Sequence, residues 1–470
     1  MSMRPLAFLI GCMSLTPTYS SAAAISFDQA WQVLQQENNS LAAQRSNVER
    51  YEHLQNATDN LNLPSITLGA NYTRLDTDVT VSGEQLFEST GGSLPDLSGF
   101  PIPGLNNLIA GLGGVTSTIT ERDIFSSSIR AIWPIFTGGR INAAQSAAEG
   151  KKEQAQSELA METQARFEDL SKYYFSVLLA QDVVQTRKLV EQGLTKHRDN
   201  ALKLEQQGQI ARVERLQAES ALDQAVIERK KAQKTLDITQ AALTQILNQQ
   251  SPVEPADHLF INQSLPPLDA FIDRTLDTYP GLDLLDAKQK QADSLIKAEQ
   301  GKYYPEVYLY GDYSLYEDDS LASQMKPDWL VGVGVNIPLI ESSGRSDQVK
   351  AAHSAVSQVK YLKAQARQDL AVLVQKTYLE AQQAQEEVQG LASSVQLAQE
   401  NLKLREKAFS QGLSTSTDVV DAQLYLASVQ TQKSAASFNY LISLSKLLAL
   451  SDEMNAFSQY QHNAIKISDM

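Results

Sequence analysis

Four short segments alternate apolar and polar positions with a period of two, the signature of strands. Ile66, Leu68, Ala70 and Tyr72 face one way, with Thr67, Gly69, Asn71 and Thr73 opposite. Ile129, Ala131, Trp133 and Ile135 oppose Ser126, Ser128 and Arg130. The third segment is aromatic on both faces, with Tyr308, Tyr310 and Tyr316 opposing Val307, Leu309 and Tyr313. In the fourth, Trp329, Val331, Val333, Val335, Ile337 and Leu339 oppose Gly332, Gly334 and Asn336. A different period governs the segment from Val349. Its stripe is Ala352, Val356, Val359, Leu362, Ala366, Leu370, Leu373, Thr377, Ala381, Ala384, Val388, Leu391, Val395, Ala398 and Leu402. These steps of three or four average close to 3.5, which predicts a left-handed coiled coil. Proline is absent from 135–251 and 339–470, so nothing interrupts long helices there. About 68 residues at 1.5 Å each reach about 100 Å, too long for a compact domain.

The chain repeats itself. Leu63-Pro64-Ser65-Ile66-Thr67-Leu68 matches Tyr304-Pro305-Glu306-Val307-Tyr308-Leu309, and Leu41 and Ala57 match Leu282 and Ala298 at the same offset. Pro134-Ile135-Phe136 with Gly139-Arg140 matches Pro338-Leu339-Ile340 with Gly344-Arg345, and Gln207-Gly208 matches Gln411-Gly412. The offset shrinks between Pro64 and Pro134, which a surplus loop at about 83–119 accounts for. Each repeat reads helix, strand, loop, strand, long helix, turn, helix. The predicted layout is a first repeat over 25–250 (strands about 64–82 and 120–136), a proline-rich linker over 251–267, and a second repeat over 268–452 (strands about 304–317 and 328–340). A tail over 453–470 follows.

The beginning of the chain supplies the compartment. Arg4, the apolar run Leu6 to Leu15, and Ser20-Ser21-Ala22-Ala23-Ala24 form the pattern of a secretory signal peptide over 1–24. Leu9-Ile10-Gly11-Cys12 also resembles a lipoprotein processing box, which would make Cys12 a lipidated first residue and leave an apolar core of only Leu6 to Ile10. Cys12 is the only cysteine, so no disulfide framework exists within the chain. No later segment has 18 consecutive apolar residues, so no transmembrane helix is predicted.

An exported chain with short alternating strands fits a membrane barrel, apolar outward and small or polar inward. Trp329 opens the fourth strand and Trp133 nearly closes the second, which places the two indoles near opposite membrane interfaces as an aromatic belt. Four strands cannot close a barrel, and open edges do not survive in lipid. Three chains of four strands would give twelve, so strands set in outer-membrane lipid ask for a homotrimer; a soluble sheet with one buried face is the other reading of the same alternation.

This layout resembles the TolC-like outer-membrane efflux proteins over nearly all of the mature chain. The residues that carry the resemblance are Asn39 and Leu41, the two proline-to-Gly-Arg motifs above, and the turn from Phe409 to Ala422. The resemblance implies a mainly helical fold with a membrane β-barrel: a trimeric twelve-helix tunnel of coiled-coil helices joined to a twelve-stranded barrel in the outer membrane of a Gram-negative bacterium. It implies a passive exit duct that docks a periplasmic adaptor and an inner-membrane transporter of the RND, ABC or MFS type. The family's cargo is small toxic compounds, metals or polypeptides, and no cofactor and no catalytic residue are implied. The alternative reading is an exported structural coiled-coil or adhesin-type trimer.

Site residues follow. Gly208 and Gly412 sit where a tight turn between antiparallel helices needs positive φ. By the resemblance, Gln207, Gly208, Gln411, Gly412 and Leu413 are adaptor-docking tips. Asp418 and Asp421 lie three apart on one helix face. The resemblance places such carboxylates at the tunnel's periplasmic constriction, with Glu214 as their counterpart in the first repeat. Phe409 stands where an aromatic hydroxyl could bond across helices, and Ser414 replaces a possible basic partner, both departures from the family's hydrogen-bonded gate.

Other chemistry finds no footing in the residues. The net charge of −15 gives nucleic acid no electrostatic support. His53, His197, His258, His353 and His462 are scattered without metal-ligand spacing, and no phosphate-binding glycine loop or activated nucleophile is present.

Overall fold

The computed structural model describes residues 24–89, 115–340 and 342–466. The signal-peptide and Cys12 readings, most of the 83–119 loop and the end of the 453–470 tail fall outside those residues.

Helices α1 (Phe27–Glu37) and α2 (Asn39–Asp59) lead into strands β1 (Ser65–Arg74) and β2 (Val79–Ser82). Strands β3 (Thr116–Thr120) and β4 (Asp123–Phe136) lead into α3 (Arg140–Gln206) and α4 (Arg212–Ile246). The second half runs through α5 (Leu268–Thr278), α6 (Pro280–Gly301), β5 (Glu306–Glu317), β6 (Trp329–Asn336), α7 (Arg345–Ser410) and α8 (Ser416–Leu450). Helices α3 and α7 have 67 and 66 residues, about 100 Å each. None of the described helices is long and apolar enough to cross a membrane.

The Gly-Arg motifs have local work at the strand-to-helix joints. Arg140 donates to Thr137 O (3.2 Å) and pairs with Glu306. Arg345 donates to Lys302 O (2.9 Å) and Pro338 O (3.2 Å) and lies over the Tyr303 ring. Arg140 shares the Thr137 carbonyl with its own backbone N–H, and Arg345 joins a carbonyl after β6 to one before β5.

The chain divides into two units. One takes in Arg50–Lys152 and Ala287–Val359 and holds the main sheet, antiparallel throughout in the order β1-β4-β5-β6. Thr67, Arg130 and Asp312 stand in one row across it, and Leu68, Ile129, Tyr313 and Trp329 in the next. Successive rows point to opposite faces. One face is therefore polar or small, with Arg130 Nε 3.1 Å from Asp312 Oδ2. The other is apolar and open, with Leu68 72% and Val331 73% exposed. Tyr308 and Tyr310 lie across Gly334 and Gly332, where an added Cβ would come within 2.3 and 2.6 Å of the rings. Those glycines therefore make room for aromatic side chains on the polar face.

Two irregularities move residues from the faces their spacing suggests. Between Ser127 and Ser128 the partner strand skips Leu315, so Tyr316 joins the apolar row of Ala70 and Ser127 and packs its ring 5.6 Å from Phe125. It does not share a face with Tyr308 and Tyr310, because an extra residue in one strand reverses the alternation beyond it. Between Pro134 and Phe136, Ile135 has no partner, and Phe136 takes the apolar place opposite Val307. Pro134 lacks an N–H for the ladder, which suits it to a bulge.

The other unit comprises the chain up to Glu49, Glu153–Asp286, and the chain from Lys360. Its core centres on Phe27, whose ring lies 4.5 Å from Phe457, 5.3 Å from Phe175 and 5.6 Å from Phe167. Tyr174 Oη lies 2.7 Å from Asp257 Oδ2, which also accepts Phe27 N–H at 2.8 Å, and burial pushes the Tyr174 hydroxyl's pKa up. Along α7 the stripe residues Leu370, Thr377, Ala381, Ala384, Val388 and Ala398 are buried, and so are Val374 and Tyr378 beside it. Leu362, in the same stripe, is 52% exposed. The buried band is wider than a two-position seam, as expected of a helix with several neighbours.

Candidate functional site: the turn ends of the helical hairpins

Helices α3 and α4 form one hairpin and α7 and α8 the other. Both first helices end alike. Gly208 (φ 70°) donates to Glu205 O and Gln209 to Leu204 O, both at 2.8 Å. Gly412 (φ 74°) donates to Phe409 O at 3.0 Å and Leu413 to Ala408 O at 2.9 Å. Each is a Schellman ending, whose left-handed residue is strained for any side chain with a Cβ. Gln207, Gly208, Gln411, Gly412 and Leu413 are all exposed, Leu413 at 78%.

The second helices start differently. Thr415 caps α8: its hydroxyl accepts Asp418 N–H at 3.2 Å, while Asp418 Oδ2 accepts Thr415 N–H at 2.9 Å. Asp418 Oδ2 also accepts the Thr415 hydroxyl at 2.8 Å and the Ser414 hydroxyl at 3.0 Å. The Thr415 backbone N–H first, then the two hydroxyls, hold its pKa down to about 2, with a smaller contribution from Arg405 at 3.5 Å. Asp418 is therefore a capping carboxylate as well as a partly exposed charge. Asp421, one turn on, is exposed.

Helix α4 starts at Ala211 with no side-chain cap. Its first-turn acid, Glu214, reaches across instead and accepts the Ser416 N–H of α8 at 2.6 Å. Thr417 Oγ1 adds a 3.2 Å bond to Gln217 Oε1, so Glu214 and Gln217 of α4 both serve α8. Within the first hairpin, Arg215 clips Glu205 to Glu219.

Beneath these bonds lies a group the sequence spacing did not single out. His197 of α3 is 5% exposed; its Nε2 is 2.7 Å from Ser416 Oγ and its ring 4.6 Å from Phe409. Burial lowers its pKa, while the charge of Glu214 acts in the opposite direction. Phe409, 2% exposed, packs with Ala201, Ala218 and Val419. The aromatic without a hydroxyl thus fills a small core. At this end the hydrogen bonds between the hairpins come from Glu214, Gln217 and His197, and the basic partner of Asp418 is Arg405 rather than position 414. Sequence offered one signal for His197, its place in a Gln- and Lys-rich helix two turns before the apolar Leu204.

The two tryptophans lie on the apolar face of the sheet. Trp133 Nε1 donates to Asn62 O at 2.8 Å. Trp133 stands in the row of Leu309 and Val333, and Trp329 in the row of Tyr313 and Ile129. Four residues of β6 separate those rows, about 13 Å along the strand at about 3.3 Å per residue. A barrel's apolar band is about 25 Å tall.

Two helices of about 100 Å, each turning back into a shorter one, accompany an antiparallel sheet with an open apolar face. The chain belongs to the outer membrane efflux protein family, whose model matches residues 30–249 and 271–451. Family membership makes it an efflux protein of the outer membrane. The open-state MtrE outer membrane channel of Neisseria gonorrhoeae has 17% identity to it, with 97% of this chain and 99% of that one covered and a TM-score of 0.71. For the CmeC outer membrane channel of Campylobacter jejuni the values are 12%, 98%, 98% and 0.72. For the outer membrane protein VceC of Vibrio cholerae they are 15%, 90%, 96% and 0.70. No curated protein sequence matches it.

Proposed function

We propose that three copies of this chain form a passive exit duct, with twelve strands closing a barrel in the outer membrane and the hairpins lining a periplasmic tunnel. The sheet carries this reading. Among the described residues β1 and β6 each pair on one side only, while the apolar face of the sheet is exposed. Unpaired edges in lipid leave backbone groups without partners, at a cost of several kcal/mol each, so closure by further copies is required. The shared element order of the two halves supports an internal duplication as the origin of the protomer.

In this reading the exposed turns at Gly208 and Gly412 meet a periplasmic adaptor, which links the duct to an inner-membrane transporter. Asp421 and the exposed side of Asp418, three copies of each, give the narrow end a negative ring that favours cations. Glu214 supports that ring from behind, since its carboxylate is engaged by Ser416. The cargo is small toxic compounds or polypeptides, and energy comes from the transporter, so the duct needs no catalytic group.

The decisive measurement is conductance of the purified full-length protein in a planar bilayer, together with its mass in detergent. Trimeric mass and discrete channels are expected; a monomer that does not conduct overturns the reading. Replacing Asp418 and Asp421 together by Ala should lower cation selectivity, and unchanged ion preference removes the ring.

A further inference from the structure

The hairpin ends contain one buried titratable group that neither the duct nor the docking reading uses. His197 projects from α3 into the junction of all four helices. It touches Ser416 at the start of α8 and Phe409 near the end of α7. Ser416, itself fully buried, is also the residue whose N–H is held by Glu214 of α4. One imidazole therefore sits where α3 and α4 both engage Ser416 at the start of α8.

We propose that His197 is an acid-sensitive latch between the two hairpins of the protomer: neutral, it holds α3 against the start of α8, and protonated, it lets the hairpins part. At 2.7 Å a neutral ring whose proton is on Nδ1 accepts the Ser416 hydroxyl through Nε2. Protonation turns Nε2 into a donor, so the bond reverses rather than disappears. What opposes the closed form is the burial of an imidazolium against Phe409 and its alanine and valine neighbours.

Several charged groups lie on the packed elements, and Glu214 is the one whose field acts on the ring. From α4 comes Glu214, whose field favours the charged ring. From α8 comes Asp418, occupied by Thr415, Ser414 and Arg405 of α7. On α3 itself Lys196 and Arg198 flank the histidine in sequence, and Arg198 is paired with Asp199. Burial outweighs Glu214, so the closed form holds its proton less tightly than a hydrated histidine does. The contact is therefore complete above about pH 6.5 and weakens as pH falls from there through the lower value of the closed form. Each unit by which the closed form lies below the open one multiplies the parted population by up to about tenfold.

The experiment uses the full-length protein and His197→Gln, which cannot titrate. Hydrogen exchange of the 411–421 segment, corrected for the intrinsic effect of pH, is measured at pH 7.5 and 5.5. Wild-type exchange should rise several-fold, and by no more than about tenfold, on acidification, and that of His197→Gln should not change. An equal rise in both proteins, or none in the wild type, overturns the latch. Planar-bilayer conductance over the same range, which depends on the duct reading, should increase several-fold in wild type alone. Absence of channels at every pH counts against the duct, and channels with the same pH profile in both proteins count against the latch. If His197→Gln does not fold, wild-type exchange that stays level between the two pH values still rejects the proposal.

Discussion

The two hairpin turns share their glycine geometry and part company at the next residue that needs a cap. Helix α8 receives Thr415, the Asp418 carboxylate and, from the other hairpin, Glu214. Helix α4 receives no side-chain cap at Ala211 and sends its own first-turn acid away. The start of one helix is thus held by its own hairpin and its neighbour, whereas the other is held through what it gives. Separation of the hairpins would strip α8 of its bonds to Glu214, Gln217 and His197 and leave Glu214 in water. A junction built this way ties the position of each turn to the other at little cost in buried area.

The largest effect should come from the core beneath the second turn. Phe409→Ala removes a buried ring and should cost about 3–5 kcal/mol, read as a lower thermal midpoint by circular dichroism. The same position relative to the first glycine is Glu205, whose replacement by Ala should give a much smaller shift. Next, Gly208→Ala and Gly412→Ala should each destabilise by about 1–2 kcal/mol, and nearly equally. Both glycines have positive φ with open space around the missing Cβ, so only backbone strain is involved. A large inequality between them would show that one turn is held by contacts beyond its backbone.

Caps sharpen the contrast with smaller effects. Thr415→Ala should cost about 1 kcal/mol, while Ala211→Ser should stabilise by a few tenths to about 1 kcal/mol, both from denaturation midpoints. The smallest difference is in pH response. The folded protein holds the Asp418 pKa near 2, below its ordinary 3.8, so its contribution is present above about pH 3.8 and fades as pH falls through about 2. The difference in midpoint between wild type and Asp418→Asn should therefore persist at pH 4 and close only near pH 2.

Much of this fold was readable from spacing. The alternation at Leu68, Ile129 and Val331 marked the apolar face of the sheet, and the stripe from Leu370 to Ala398 marked a buried side of α7. Gly208 and Gly412 marked the turns because their backbone conformation excludes most other residues. Period-two counting failed where a strand holds an unpaired residue, as at Leu315 and Ile135, since alternation carries no notice of a bulge in the partner. It also could not reach His197, which has no ligand spacing and acquires its surroundings from three other helices.

By itself, the sequence determined element type, element length and the solvent that each face prefers, because these depend on neighbours within a few positions along the chain. The tertiary structure alone decided which acid caps which helix, which tyrosine lies on which face, and which histidine is dry. Those outcomes depend on groups some 200 residues apart meeting within 3 Å, as Ser416 meets both Glu214 and His197. No local pattern encodes such a meeting, since Glu214 would look the same in the chain whether it capped α8 or faced water.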